Sequence, residues 1–176
     1  MNIIYFDEID STNLYAKRLL ETLPDRTLIH AGRQTSGYGQ FEREWADLGV
    51  GNLFMSLVLK PPANFDKTGL TTYMAEVLCS VLKDYGVKAQ VKLPNDVLVN
   101  GRKIAGILAE TSTKGKASKG VVLGAGVNLN AAETDLLKVD KEITSLNLEI
   151  GMPVERDVFL NKLLEKFFSG YDKIIS

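Results

Sequence analysis

Residues 92–110 read KLPNDVLVNGRKIAGILAE, and they contain the clearest signal in the chain for one particular local structure. The dipeptide Asn100-Gly101 stands between two runs of β-forming residues, Val97–Val99 and Ile104–Leu108. Because asparagine and glycine both tolerate a positive φ, this dipeptide is a strong signal for a two-residue hairpin turn. We therefore predict a β-hairpin in this segment.

The predicted hairpin carries more polar and small residues than a plain hairpin requires. Lys92, Asn95, Asp96 and Lys103 can converge at its open end, and Gly106 lies inside its second strand. A glycine within a strand often marks a bulge or a place where a ligand comes close. A simple turn with a solvated edge explains the same residues equally well, so these residues alone leave both interpretations open.

Composition limits the class of protein. A chain of 176 residues with 45% hydrophobic and 24% charged residues fits one soluble globular domain. The formal net charge of −1 gives no electrostatic case for binding DNA or an anionic membrane. With no apolar run long enough to span a bilayer and no signal-peptide pattern, we expect a cytoplasmic protein. One cysteine and one histidine exclude an internal disulfide and a Cys/His structural zinc site.

A cluster of helix-capping residues, Ser11, Thr12 and Asn13, lies between a predicted strand over 1–9 and a helix that extends to Leu20. An N-cap accounts for one of these residues. The others place hydroxyl and amide groups at the positive end of a helix, which suits a small polar or anionic ligand. Capping is the simpler explanation when the cluster is considered alone.

A polar, glycine-containing loop over residues 33–45 follows a predicted strand, Thr27–Gly32, and ends at the single tryptophan, Trp45. Loops of this kind are often flexible and carry binding residues. His30 lies within the preceding strand, and we expect it to be structural.

The remaining segments predict strands and amphipathic helices around a core. A buried strand is predicted over 51–59, a solvated hairpin loop over 112–120, and a strand over 121–130 whose small residues leave room for a ligand near Asn128. Two helices are predicted from apolar faces, over 70–85 with Met74, Val77, Leu78, Val81 and Leu82, and over 154–168 with Val158, Leu160, Leu163, Leu164 and Phe167.

Several of these motifs, in this order, resemble the biotin protein ligase family. Pro94-Asn95-Asp96, the hairpin and residues 101–110 resemble the family signature, residues 124–130 (GAGVNLN) resemble its next block, and the resemblance runs from Tyr5 to about Tyr171. It implies an α/β (α+β) fold of the class II synthetase-like type, a mixed, mainly antiparallel sheet with helices packed on one face. It also implies a single catalytic domain over residues 1–176, with neither an N-terminal helix-turn-helix nor a C-terminal small barrel.

The resemblance further implies a reaction and its residues. ATP and biotin would form biotinyl-AMP, and biotin would then pass to a lysine of a biotin carboxyl carrier domain. Lys103 and Arg43 are the expected catalytic residues. Biotin is expected to contact Ser11, Thr12, Asn13, Gln34, Gly37, Tyr38, Trp45, Lys103 and Gly106. ATP is expected to contact Arg43, Lys92, Asn95, Asp96 and Asn128, with Asp96 also a candidate ligand for Mg²⁺.

The glycine-rich loop departs from the family pattern. The usual run is Gly-Arg-Gly-Arg-Arg-Gly-Arg, whereas residues 37–43 read GYGQFER, so three of its four arginines are missing. Because arginine binds phosphate with a rigid pair of donors, this loss should weaken the hold on ATP or on the adenylate.

Two alternatives therefore stay open. One is a lipoate or octanoate ligase or transferase of the same fold, although the motif of those enzymes is absent and Cys79, in a predicted core helix, is a poor nucleophile. The other is a degenerate, non-catalytic module that binds biotin or the adenylate. The acceptor protein, homodimer formation and a further C-terminal domain in the natural chain also stay open.

Overall fold

A computed structural model describes residues 1–42, 44–46, 48–62, 65, 69–114 and 117–175, without the side chains of 42, 112–114 and 117–119. Its elements, in chain order, are β1 (Asn2–Ile9), α1 (Thr12–Arg18), β2 (Thr27–Gln34), a 3₁₀ turn (Gln40–Glu42), β3 (Leu53–Leu59), α2 (Gly69–Asp84), β4 (Ala89–Lys92), β5 (Asp96–Val99), β6 (Arg102–Lys114), β7 (Ala117–Val127), α3 (Glu133–Leu136), α4 (Leu146–Ile150) and α5 (Arg156–Ile175).

The strands form one seven-stranded sheet in the order β1-β2-β3-β7-β6-β5-β4. Only β1 and β2 run parallel to each other among these pairs, and every other neighbouring pair is antiparallel. The predicted mixed, mainly antiparallel sheet is confirmed.

The hairpin predicted around Asn100-Gly101 is present as β5 and β6. Asn100 and Gly101 have φ values of 51° and 80°, as a type I′ turn requires. The next connection differs from the prediction, because β6 and β7 continue into the predicted loop and pair Thr113 with Ser118. Threonine favours extended backbone, which explains why this segment prolongs the strands. Residues 115 and 116 lie outside the described residues.

Helices α2 and α5 pack together on one face of the sheet. The predicted apolar face of α2 is confirmed, since all five of its residues are buried. In α5 the prediction is wrong at Val158, which is 50% exposed, whereas Phe159 is fully buried. Phe159 lies four residues before Leu163 and so shares its face of the helix. The helix also extends to Ile175, beyond the predicted end.

Helix α1 packs on the opposite face of the sheet, where Ala16 and Leu20 contact Ile29, Val58 and Val122. Side chains alternate along a strand, so neighbouring residues of β3 and β7 contribute to different faces. Helix α1 covers only part of this face of the sheet. The part that it leaves uncovered includes small residues of β6 and β7. None of the helices in the described segments is long and apolar enough to cross a lipid bilayer.

Candidate active site

A cleft of about 830 Å³ lies on the face of the sheet that α1 partly covers. It is lined by most of the residues predicted for the site, namely Ser11, Thr12, Asn13, Gln34, Tyr38, Trp45, Lys92, Asn95, Asp96, Lys103, Gly106 and Asn128. Gly37 lies beside it, where an added Cβ would be 2.7 Å from Nε2 of Gln34. Arg43 lies outside the described residues, so its predicted role has no structural test.

The start of α1 supplies a buried polar cluster at one end of the cleft. Ser11 is the N-cap, and its hydroxyl accepts a hydrogen bond from the backbone N–H of Leu14. Thr12 and Asn13 are no more than 5% exposed and face inward. The backbone N–H of Thr12 donates to Oε1 of Gln34 at 2.8 Å, which ties α1 to the end of β2. Capping thus explains Ser11, while Thr12 and Asn13 face the cleft.

Ser56, which the sequence analysis did not select, completes this cluster. Its side chain is fully buried in β3, with Oγ 2.8 Å from Oγ1 of Thr12 and 2.5 Å from Oδ1 of Asn13. The signal that could have found it is a hydroxyl inside an apolar strand, because a buried polar group needs a hydrogen-bond partner.

Glu110 is the second residue that the sequence analysis missed. Its carboxylate accepts hydrogen bonds from Nδ2 of Asn13 at 2.9 Å, from Oη of Tyr38 at 2.7 Å and from Nζ of Lys17 at 2.7 Å. Burial by itself would raise the pKa of Glu110, but the hydrogen bonds from Lys17, Tyr38 and Asn13 outweigh it and lower the pKa. The group is therefore a carboxylate anion at neutral pH.

Three glycines form the floor of the cleft. A Cβ on Gly124 would overlap the side-chain amide of Asn13. A Cβ on Gly126 would lie 2.8 Å from Cε2 of Trp45, and one on Gly106 would lie 2.6 Å from Cζ3 of the same ring. Asn13 and Trp45 can therefore rest directly on the strands only because these positions lack side chains.

Lys103 lies next to the ring of Trp45 on this floor. Its Nζ is 2.6 Å from Oδ1 of Asp96 and 5.1 Å from the centroid of the Trp45 ring. The backbone of Lys103 is held on both sides, because its N–H donates to the carbonyl of Glu142 and its carbonyl accepts from the N–H of Thr144, each at 2.9 Å. The Lys103 ammonium is thus held in place by the hydrogen-bonded backbone of Lys103 and by its ion pair with Asp96.

The two predicted amide residues both bind the backbone. Nδ2 of Asn95 donates to the carbonyl of Ile107 at 3.1 Å, and Nδ2 of Asn128 donates to the carbonyl of Thr144 at 3.0 Å. These bonds hold the strand ends that surround Lys103. Their role toward a nucleotide stays a prediction.

The segment after β7 adds charged residues that the sequence analysis did not predict. The described lining of the cleft contains the lysines Lys92, Lys103, Lys138 and Lys141 and the acidic residues Glu44, Asp96, Asp140 and Glu142. Because these charges balance, an anionic ligand would depend on the placement of individual cations and not on an overall positive potential. No periodicity or turn signal in the sequence distinguishes Lys138 or Lys141 from other surface lysines.

The sheet and its cleft agree with a known class of proteins, because the chain belongs to the biotin/lipoate A/B protein ligase family, whose model matches residues 5–128. Bifunctional ligase/repressor BirA of Bacillus subtilis is 32% identical over 174 residues, which cover 97% of this chain and 54% of that protein. Biotin–[acetyl-CoA-carboxylase] ligase of Paracoccus denitrificans is 33% identical over 165 residues, which cover 90% of this chain and 68% of that protein. The chain spans about half the length of its BirA relatives.

Solved structures agree with this assignment. Biotin protein ligase from Aquifex aeolicus, in complex with biotin and ATP, superposes with a TM-score of 0.84 at 27% identity, covering 99% of this chain and 72% of that one. A bipartite lipoate protein ligase from Thermoplasma acidophilum superposes with a TM-score of 0.65 at 14% identity, covering 98% of this chain and 84% of that one, and shows the fold alone. The predicted family and fold class are confirmed.

Proposed function

We propose that this chain is an ATP-dependent biotin protein ligase. The observation that carries the proposal is that the buried polar cluster and Lys103 face one glycine floor. Gly124 beneath Asn13 and Gly126 beneath Trp45 are two residues apart on β7, a distance of about 7 Å along an antiparallel strand. Biotin has a polar ring and a carboxylate joined by a short aliphatic chain, so it suits a cleft with polar groups at both ends.

In this proposal the ureido ring of biotin binds at the start of α1. Ser11, Thr12, Asn13 and Gln34 offer hydroxyl and amide groups of both hydrogen-bonding types at this end of the cleft. The apolar part of biotin would lie against Trp45. The aliphatic chain would pass beside the Trp45 ring, which itself lies against Gly106, and Gly37 and Tyr38 would lie over it.

The reaction has two steps. A carboxylate oxygen of biotin attacks the α-phosphorus of ATP, the bond to the β-phosphate oxygen breaks, and pyrophosphate leaves with biotinyl-AMP formed. An unprotonated lysine amine of a carrier domain then attacks the biotinyl carbonyl, AMP leaves, and the amine loses a proton to water. No side chain has to act as a nucleophile, so catalysis depends on positioning and on neutralising charge. We assign this role to Lys103, with Arg43 as a second cation.

ATP is proposed to contact Lys92, Asn95, Asp96 and Asn128, along with Arg43, and to bring Mg²⁺ with it. No group of three or more His, Cys, Asp or Glu side chains that could hold a metal ion occurs in the described part of the chain. Mg²⁺ commonly binds through one or two carboxylates plus phosphate oxygens. Asp96 therefore fits as the protein ligand of an ion carried by the nucleotide, which would neutralise phosphate charge.

The proposal includes a carrier domain as acceptor and one catalytic domain over residues 1–176. It also allows a homodimer, because β1 and β4 are the edges of the described sheet and present unpaired backbone groups. Light scattering on the purified chain would determine its oligomeric state.

Pyrophosphate exchange with MgATP, measured in parallel with biotin, lipoate and octanoate, tests the proposal. We expect exchange with biotin alone. Exchange only with lipoate or octanoate would place the chain with the lipoate ligases of its family. Binding of biotin without any exchange would indicate a non-catalytic module, the alternative that the arginine-poor loop favours.

A further inference from the structure

Glu110 lines a smaller cavity of about 440 Å³ that lies beside the cleft, between α1 and the glycine-rich loop. The two cavities share the wall formed by Tyr38, Gly39, Gln40 and Leu108. Glu110 therefore stands at the junction of three parts of the structure, which are β6, α1 and the loop. Its three hydrogen-bond donors come from α1, through Asn13 and Lys17, and from the loop, through Tyr38.

The carboxylate determines which way the Asn13 amide points. An ionised carboxylate can only accept hydrogen bonds, so the NH₂ group of Asn13 must face Glu110. The Asn13 carbonyl oxygen then faces Ser56, whose hydroxyl donates to it at 2.5 Å. With both ends held, Asn13 presents one fixed arrangement of donor and acceptor at the polar end of the cleft.

The same carboxylate holds the loop. Oε2 accepts from both Tyr38 and Asn13. Tyr38 pairs with Glu44 in a short antiparallel bridge, and the N–H of Trp45 donates to the carbonyl of Gly37 at 3.0 Å. This small closed unit carries Trp45 onto the floor of the cleft. Tyr38 occupies a position where the family run has arginine, so a neutral hydroxyl here makes the contact with Glu110.

We propose that Glu110 is a positioning residue that couples the position of the loop residues Tyr38 and Trp45 to the orientation of Asn13. The identity of the ligand that Asn13 meets rests on the proposed function, whereas the link between loop and carboxylate does not. Because such coupling is reciprocal, a ligand that binds Asn13 in this orientation also favours this position of Tyr38 and Trp45, and this position favours the ligand.

The first experiment needs no ligand, because Trp45 is the single tryptophan of the chain and its emission reports on the loop. Acrylamide quenching is measured for the wild type, Glu110→Met, Tyr38→Phe and the double variant. We expect both single variants to increase quenching. We expect the double variant to resemble Glu110→Met, because both substitutions remove the same hydrogen bond between Tyr38 and Glu110. Equal quenching in all four proteins, or additive effects in the double variant, would overturn the proposal.

Two kinds of control distinguish the loss of the hydrogen bonds that Glu110 accepts from a general effect of the substitution on the protein. Glu110→Gln keeps a carbonyl oxygen for Asn13 and Tyr38 but loses the ion pair with Lys17, so it should quench as the wild type does. Glu165→Met, on α5, and Tyr85→Phe, directly after α2, make similar changes away from the cleft. Thermal melts check folding, and Tyr38→Phe alone decides the quenching test if Glu110→Met does not fold.

The second experiment measures biotin affinity by calorimetry. We expect Glu110→Met to weaken binding about tenfold, the usual scale for losing one buried polar contact. Glu110→Gln should stay within about twofold of the wild type. If the Met and Gln variants bind biotin as tightly as the wild type, Glu110 does not position Asn13. If the wild type binds no biotin, the proposed function is wrong, and the quenching result still decides the link between Glu110 and the loop.

Discussion

Nζ of Lys103 lies 2.6 Å from Oδ1 of Asp96, on a backbone that Glu142 and Thr144 hold from the neighbouring segment. A lysine ammonium with this support can approach a carboxylate and a phosphate together without losing its position. The pair also keeps the carboxylate of Asp96 beside the cation and within the cleft.

Lys103→Ala should therefore abolish most of the pyrophosphate exchange, with a loss of roughly 10²- to 10³-fold, because removal of one preorganised cation from a reacting centre has effects of this size. Lys103→Arg should be impaired as well, since the planar guanidinium does not match a compact ammonium. Lys88→Ala, an exposed lysine before β4, is the control. Exchange that survives Lys103→Ala would show that another group neutralises the phosphate.

The contact of Trp45 with the cleft floor leads to a second prediction. In Gly126→Ala the new methyl group would lie 2.8 Å from Cε2 and 2.9 Å from Cζ2 of the indole, so the ring must move. We expect a shift in tryptophan emission and weaker biotin binding. Gly69→Ala, at the start of α2 with nothing within 4 Å, is the control. An unchanged emission spectrum in Gly126→Ala would contradict the packing of Trp45 on this strand.

The parts of the fold that could be predicted are those determined by neighbouring residues. The turn at Asn100-Gly101 depends on two adjacent residues, and the buried face of α2 depends on a spacing of three and four residues. Val158 was placed wrongly because apolar residues at consecutive helix positions leave the boundary of the buried face ambiguous.

The site depends on contacts between distant residues, which local patterns do not contain. Asn13 meets Ser56 and Glu110, which are 43 and 97 residues away, only because β3, β7 and β6 are neighbours in the sheet. The family resemblance predicted which motifs converge on the cleft. It did not predict Ser56 or Glu110, because their roles follow from which side chains they face in this chain.

His30 predicts a dependence of stability on pH. Burial and, to a smaller extent, the positive charge of Arg156 lower the pKa of His30 from 6.5, while Asp157 opposes this shift. The ring of Tyr5 packs against the imidazole, with 4.9 Å between the ring centroids. Because the unfolded chain then binds the proton more tightly, stability is complete above about pH 6.5 and falls as the pH drops below it.

Urea unfolding of the wild type and of His30→Phe, which keeps a ring against Tyr5, would test this from about pH 7.5 to 5.5, a range around the ordinary histidine pKa. The wild type should lose stability across this range and the variant should lose less. Glu110 does not interfere, because its pKa is lowered from 4.5 and its contribution is lost only at more acidic pH. Parallel curves for the two proteins would show that His30 is not the titrating group.

Replacement by phenylalanine should change the free energy of unfolding in opposite directions at two tyrosines of the helical layer. Tyr171 is 1% exposed, its hydroxyl has no hydrogen-bond partner among the described residues, and burial raises its pKa to about 12. Tyr73, by contrast, donates its hydroxyl to the carbonyl of Phe167 at 2.6 Å. Leaving a buried polar group unpaired costs about 1–3 kcal/mol, whereas a typical hydrogen bond contributes about 1 kcal/mol.

Tyr171→Phe should therefore raise the free energy of unfolding by about 1 kcal/mol, because the same ring stays packed without a buried hydroxyl. Tyr73→Phe should lower it by about 1 kcal/mol, since the carbonyl of Phe167 loses its donor. Urea unfolding at equal m-values measures both changes. The two substitutions remove the same atom from two tyrosine rings that both pack against Phe167, so each is the control for the other. A loss of stability in both variants would mean that the Tyr171 hydroxyl is paired in solution.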